Sequence, residues 1–143
     1  MGWQTWMGWR KVRMRMSKTV LRRIHLVNWY GFANTTIPVS EDLTLISGEN
    51  ECGKSTILDA IKYAYTGDTQ FNKATSGHNT GVSKRDLVSY TRCLIDASAG
   101  TYARSAEKIP VVYTHIALEY YDQINENPFV LGVVIETAAA GVR

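Results

Sequence analysis

Residues 45–61 read Leu45-Ile46-Ser47-Gly48-Glu49-Asn50-Glu51-Cys52-Gly53-Lys54-Ser55-Thr56-Ile57-Leu58-Asp59-Ala60-Ile61. Within them, Gly48 to Thr56 fits the phosphate-binding loop G-x-x-x-x-G-K-[ST]. The spacing answers a physical demand. A triphosphate is densely negative and needs many short hydrogen bonds from a compact cradle. Gly48 and Gly53 permit the tight turn and let backbone N–H groups approach the phosphates. The pattern places the Lys54 ammonium near the outer phosphates and the Ser55 hydroxyl where it can ligate Mg²⁺, an ion that prefers oxygen. A helix that starts at this point aims its positive dipole end at the same anion.

The flanks supply the context that such a motif requires. Leu43 to Ser47 is an apolar, β-prone run, so a strand is expected to feed the loop. Lys54 to Tyr65 carries Ile57, Leu58, Ile61, Ala64 and Tyr65 at helical spacing, and Gly67 stands where a C-terminal cap belongs. This order of strand, loop and helix disfavours the competing reading of a chance turn that binds nothing. Asp59 is read as a solvated or ion-paired helix residue, not a catalytic one.

Upstream, Leu21 to Trp29 reads as a strand, Tyr30 to Asn34 as a turn, and Thr35 to Val39 as an antiparallel partner strand. Downstream, Thr66 to Ser83 is a long polar stretch of the kind that is functional or mobile. Lys84 to Tyr90 fits one short helical turn. Val111 to Tyr121 and Phe129 to Glu136 fit a hairpin joined by Asp122 to Pro128.

The 143 residues, 45% hydrophobic and 20% charged, suffice for one domain with a core. No run reaches the roughly 18 apolar residues of a membrane span, and no secretory leader pattern is present. Cys52 and Cys93 form no C-x-x-C pair and His25, His78 and His115 are scattered, so no metal cluster or disulfide framework is read and a cytoplasmic setting is expected. The net charge of +3 belongs to the first 23 residues, which carry Arg10, Lys11, Arg13, Arg15, Lys18, Arg22 and Arg23 and no acid. Trp3, Trp6 and Trp9 interleave with that tail. Three readings stay open for it: an upstream extension ahead of a start at Met16, a disordered tail, or an arm that touches nucleic acid or anionic lipid.

These features resemble the N-terminal lobe of the ABC-class ATPase heads of SMC proteins and SbcC-type DNA repair ATPases. The likeness is carried by Ile24-His25-Leu26-Val27-Asn28-Trp29-Tyr30-Gly31-Phe32 and by Leu45 to Ile61. Arg85 to Tyr90 and Ile116 to Tyr120 are most similar to condensin-like ATPase subunits of Wadjet and MukB type. The implied fold is α/β: a P-loop NTPase, the N-terminal lobe of an ABC-ATPase head with an antiparallel β portion, and incomplete. The implied organisation is a tail over 1–17, the lobe over 18–136 and a truncated end over 137–143.

The resemblance implies ATP and Mg²⁺ as ligands, with Gly48, Glu49, Asn50, Glu51, Cys52, Gly53, Lys54, Ser55 and Thr56 binding the nucleotide and Ser55 the metal. Asn50 would approach the γ-phosphate, and the Tyr30–Gly31 turn would lie near the base or phosphates. Glu51 and Cys52 replace small residues of the family loop at positions where the backbone binds. Cys52 reads as a tolerated side chain in preference to an oxidisable thiol.

The family's C-terminal half supplies the signature motif and the Walker B Asp-Glu. Here Cys93-Leu94-Ile95-Asp96 is the nearest match to that strand, but its apolar run is short and Ala97 follows it. No catalytic residue is therefore assigned, and hydrolysis is expected only once that half and a second head in a homodimer complete the site. Double-stranded DNA and a kleisin or nuclease subunit are the further partners implied, with nucleoid association and no membrane. Lys62, Lys73, Lys84 and Arg85 are candidate DNA contacts, set against ordinary solvated lysines. The alternatives are a small self-contained P-loop kinase, with Arg85, Arg92 and Arg104 in a lid, and a non-catalytic interaction module or remnant.

Overall fold

In the computed structural model, residues 18–49, 53–71, 86–139 and 141–142 are described. Strand β1 (Thr19–Trp29) and strand β2 (Phe32–Pro38) make the expected antiparallel pair. Their turn is tighter than the sequence suggests, because Trp29 already pairs with Phe32. Helix α1 spans Lys54–Thr66. Helix α2 (Leu87–Arg92) starts at Asp86, whose carboxylate accepts the Ser89 amide as an N-cap. Then follow β3 (Leu94–Asp96), β4 (Thr101–Tyr102), β5 (Val111–Asp122), β6 (Asn127–Ala138) and β7 (Gly141–Val142). The main sheet runs β2-β1-β5-β6-β7 with every pair antiparallel, while β3 and β4 form a small sheet of their own.

The β5–β6 hairpin is the expected one, paired without a slip from Val111↔Ala138 to Asp122↔Asn127. Strict alternation explains it. Val112, Thr114, Ile116, Leu118 and Tyr120 turn to the core, and the residues between them face outward or lie half-buried. On β1, Ile24 and Leu26 face the same core. Asn28 then adopts φ 54, and Trp29 is buried where period two would turn it outward.

Helix α1 lies on this inner face, with Ile57, Ala60 and Ala64 joining Ile24, Leu26, Ile116, Leu118 and Ile135 in one cluster. The helix ends as expected: Gly67 takes φ 65 and its N–H donates to the Tyr63 carbonyl. Its buried stripe differs from the expected one. Leu58 and Tyr65 are exposed, and Ala60 joins the expected Ile57 and Ala64 in the contact. Small side chains allow a helix close to a sheet, so the stripe follows packing distance and not residue size.

Two further expectations are corrected. Leu43 to Ser47 is not a strand: the run is irregular, with Leu43 79% and Leu45 81% exposed and only Ile46 packed against the core. A strand needs a ladder partner, and among the described residues this run pairs with none. Asp59 is not solvated. It is 1% exposed and its Oδ2 accepts the Tyr90 hydroxyl at 2.5 Å. The tail over 1–17 and most of the polar stretch after Phe71 lie outside the described residues.

Candidate functional site

The site is the N-terminus of α1 and the chain that folds beneath it. Gly53 is the N-cap at φ 96 and ψ 8, a left-handed geometry that suits glycine. A side chain there would be strained and crowded: a Cβ on Gly53 would stand 3.1 Å from Cζ of Phe32. The helix has no side-chain cap and no acid in its first turn. Its intrahelical ladder begins at Ile57, whose N–H donates to the Gly53 carbonyl at 3.1 Å. The amides of the turn before it have no intrahelical acceptor and point off the positive end of the dipole. Such an end suits an anion.

Lys54 curls back over the loop. Its Nζ donates to the carbonyls of Gly48 at 2.6 Å and Glu49 at 2.5 Å. These bonds tie the start of the helix to the residues that open the loop. Ser55, the expected Mg²⁺ ligand, is exposed beside it. Thr56 is buried, and its carbonyl accepts the Trp29 indole N–H at 2.8 Å, so the first turn is pinned from the core side. Asn50, Glu51 and Cys52 lie outside the described residues.

Behind the loop stands an aromatic cluster. The Trp29 ring lies 4.6 Å from Tyr90 and 5.7 Å from Phe71, and it stacks on Tyr63 at 6.1 Å. Tyr63 belongs to the last turn of α1, Tyr90 to α2 and Trp29 to the sheet, so the cluster ties that helix to α2 and the sheet. The hydroxyl of Tyr90 reaches Asp59 from the same cluster. The sequence reading missed this pair. The available signal was an acid flanked by Ile57 and Ala60 on the apolar face of the helix.

The remaining sequence candidates divide clearly. Phe32, the residue after the Tyr30–Gly31 turn, reaches Gly53 with its ring. Asp96 sits exposed at the end of β3, where its carboxylate accepts the Ser98 hydroxyl and the Ser98 and Ala99 amides. Arg92 is buried and donates to the carbonyls of Arg104, Ile109, Pro110 and Thr137. Arg104 donates to Tyr30 and Thr91. Both arginines hold backbone. Lys62 pairs with Asp68 at 2.7 Å. Lys73, Lys84 and Arg85 lie outside the described residues. Among the described residues no group of three or more His, Cys, Asp or Glu could hold a metal, and no helix is long and apolar enough to cross a membrane.

Comparison with known proteins agrees with this geometry. Residues 23–127 match the family described as AAA domain. Over 66 residues the chain is 38% identical to the retron Ec83 probable ATPase of Escherichia coli, a stretch that is 45% of this chain and 12% of that protein. It also superposes, with a TM-score of 0.50 and 20% identity, on a solved structure from work on ATP-driven dimerization and DNA-stimulated activation of SMC ATPases. That match covers 85% of this chain and 65% of the solved one. The chain thus spans a small part of the curated relative and under two thirds of the solved structure.

Proposed function

Because this chain belongs to the AAA domain family, we propose that it is the Mg-ATP-binding lobe of an SMC- or SbcC-like ATPase that works on DNA. The observation that carries this reading is Lys54, folded under a left-handed Gly53 cap at the open N-terminus of α1. The residues fit the ligand. Gly53 leaves room where a Cβ would meet Phe32, the first-turn amides and the Lys54 ammonium would hold the phosphates, and the exposed Ser55 would offer a hydroxyl oxygen to Mg²⁺. Mg²⁺ when bound would neutralise charge on the outer phosphates. Phe32, packed on Gly53, sets one wall of the loop.

In this reading the loop binds and orients nucleotide, and turnover waits for a second half of the head and a second head. The described residues offer no buried carboxylate beside the loop to orient water. Asp59 is occupied by Tyr90, and Asp96 caps its own turn. The kinase reading loses two of its lid arginines, since Arg92 and Arg104 are committed to carbonyls. DNA, a kleisin or nuclease subunit and a setting near the nucleoid remain parts of the proposal and follow from the resemblance.

The test is thermal unfolding with and without Mg-ATP, because a ligand that binds only the folded state raises the melting temperature. A rise is expected for the wild-type chain, and Lys54→Ala should reduce or abolish it. No shift for wild type would favour the remnant reading. Steady-state hydrolysis by this chain alone, lost in Lys54→Ala, would overturn the division of labour between the two halves.

A further inference from the structure

The β1–β2 turn is held by more than its own strands. Tyr30 has φ 47, a left-handed conformation that strains a bulky side chain. Such a conformation persists when its surroundings over-determine it. Here three elements do so. The Tyr30 N–H donates to the Tyr90 carbonyl of α2 at 2.7 Å. The Tyr30 hydroxyl donates to the Leu94 carbonyl of β3 at 3.3 Å. The guanidinium of Arg104, in the segment after β4, donates to the Tyr30 carbonyl through both Nη1 and Nη2 at 3.0 Å, and through Nη1 to the Thr91 carbonyl at 3.1 Å. Arg104 is itself registered by its own amide, which donates to the Arg92 carbonyl at 3.0 Å.

Two residues beyond Tyr30, Phe32 lies against Gly53, the cap of the phosphate-loop helix. One residue before it, Trp29 holds the Thr56 carbonyl in the first turn of the same helix. The strained turn is therefore the common support of both contacts on the loop.

We propose that Arg104 is a positioning residue for nucleotide binding: by fixing the Tyr30 carbonyl it holds Phe32 and Trp29 where they set the Gly53–Thr56 backbone. Arg104 touches no ligand itself and acts through the turn. Its planar fork suits the task, since one guanidinium spans two carbonyls of different elements, which a lysine ammonium on a flexible stem does less well. Burial presses its ionisation below the ordinary arginine value.

This inference rests on the nucleotide-binding reading, so its test separates the two. Affinity for a fluorescent Mg-ATP analogue bearing a methylanthraniloyl group is measured for wild type, Arg104→Ala, Arg104→Lys and Ile135→Val. The last weakens the core on β6 away from the turn. The amide resonance of Gly53 is followed by NMR in each protein without nucleotide. Arg104→Ala should weaken binding about tenfold, with Arg104→Lys intermediate, because charged hydrogen bonds of this kind are among the stronger ones. Ile135→Val should bind as wild type does. The Gly53 resonance should move in both Arg104 variants and stay in place in Ile135→Val.

Equal affinity in wild type and Arg104→Ala, or an equal loss in Ile135→Val, overturns the proposal. If wild type binds nothing, the nucleotide reading fails, and the Gly53 resonance alone then decides the clamp: unmoved, the clamp is wrong as well. Should Arg104→Ala not fold, the same readouts on Arg104→Lys decide.

Discussion

At the scale of single residues, Asp59 is buried against the Tyr90 hydroxyl, a partner 31 positions away in sequence. The left-handed cap at Gly53 could be read locally, since backbone freedom travels with glycine; the environment of Asp59 could not. An acid on a helix reads as solvated until the fold delivers a donor. The pair supplies a prediction. Tyr90→Phe keeps the ring in the Trp29–Phe71 cluster and removes only the hydroxyl, so the Asp59 carboxylate loses a buried donor. The expected cost is about 1–3 kcal/mol in urea unfolding, the range for losing one buried hydrogen bond of this kind. A change under about 0.5 kcal/mol, the scatter of ordinary surface substitutions, would show that the bond contributes little.

At the scale of elements, those with a strong local period were legible: the alternation of β5, the cap at Gly67 and the β1–β2 pair. The run before the loop was not, because a strand exists only with its neighbour, and the neighbour is not written into residues 43–47. The turns that close elements carry a second prediction. Asp68 is held below the ordinary aspartate value of 3.8, chiefly by its bond to Lys62. Asp96 is held below it chiefly by the Ser98 hydroxyl, and Asp122 chiefly by the Ile124 amide. Folding therefore favours the ionised carboxylates. Their contribution is complete above about pH 4 and is lost as pH falls through the lowered values. All three groups are open to solvent, so each effect is small and screened by salt. The melting temperature of wild type should fall between about pH 4 and pH 2, and the triple variant Asp68→Asn, Asp96→Asn, Asp122→Asn should show a shallower fall over that window. Parallel curves would place the acid sensitivity elsewhere.

At the scale of the whole molecule, one antiparallel sheet carries the two helices of the described residues on a single face, and the chain that enters the phosphate loop runs along the periphery with Leu43 and Leu45 in water. The other sheet face is mixed. Arg23 and His25 meet Glu119 there, while Tyr113, Val130 and Val134 remain exposed. An apolar run left in water favours association with whatever can cover it. The two leucines contribute little to the core of this chain, so the double variant Leu43→Ser, Leu45→Ser should unfold within about 0.5 kcal/mol of wild type. It should also self-associate less at high concentration in light scattering. A midpoint lowered by a core-sized amount, about 2 kcal/mol or more per leucine, would mean that the run is buried in solution and pairs as the strand its sequence suggests. Unchanged stability with unchanged association would move the sticky surface to Tyr113, Val130 and Val134, where Val130→Lys repeats the test on the opposite face.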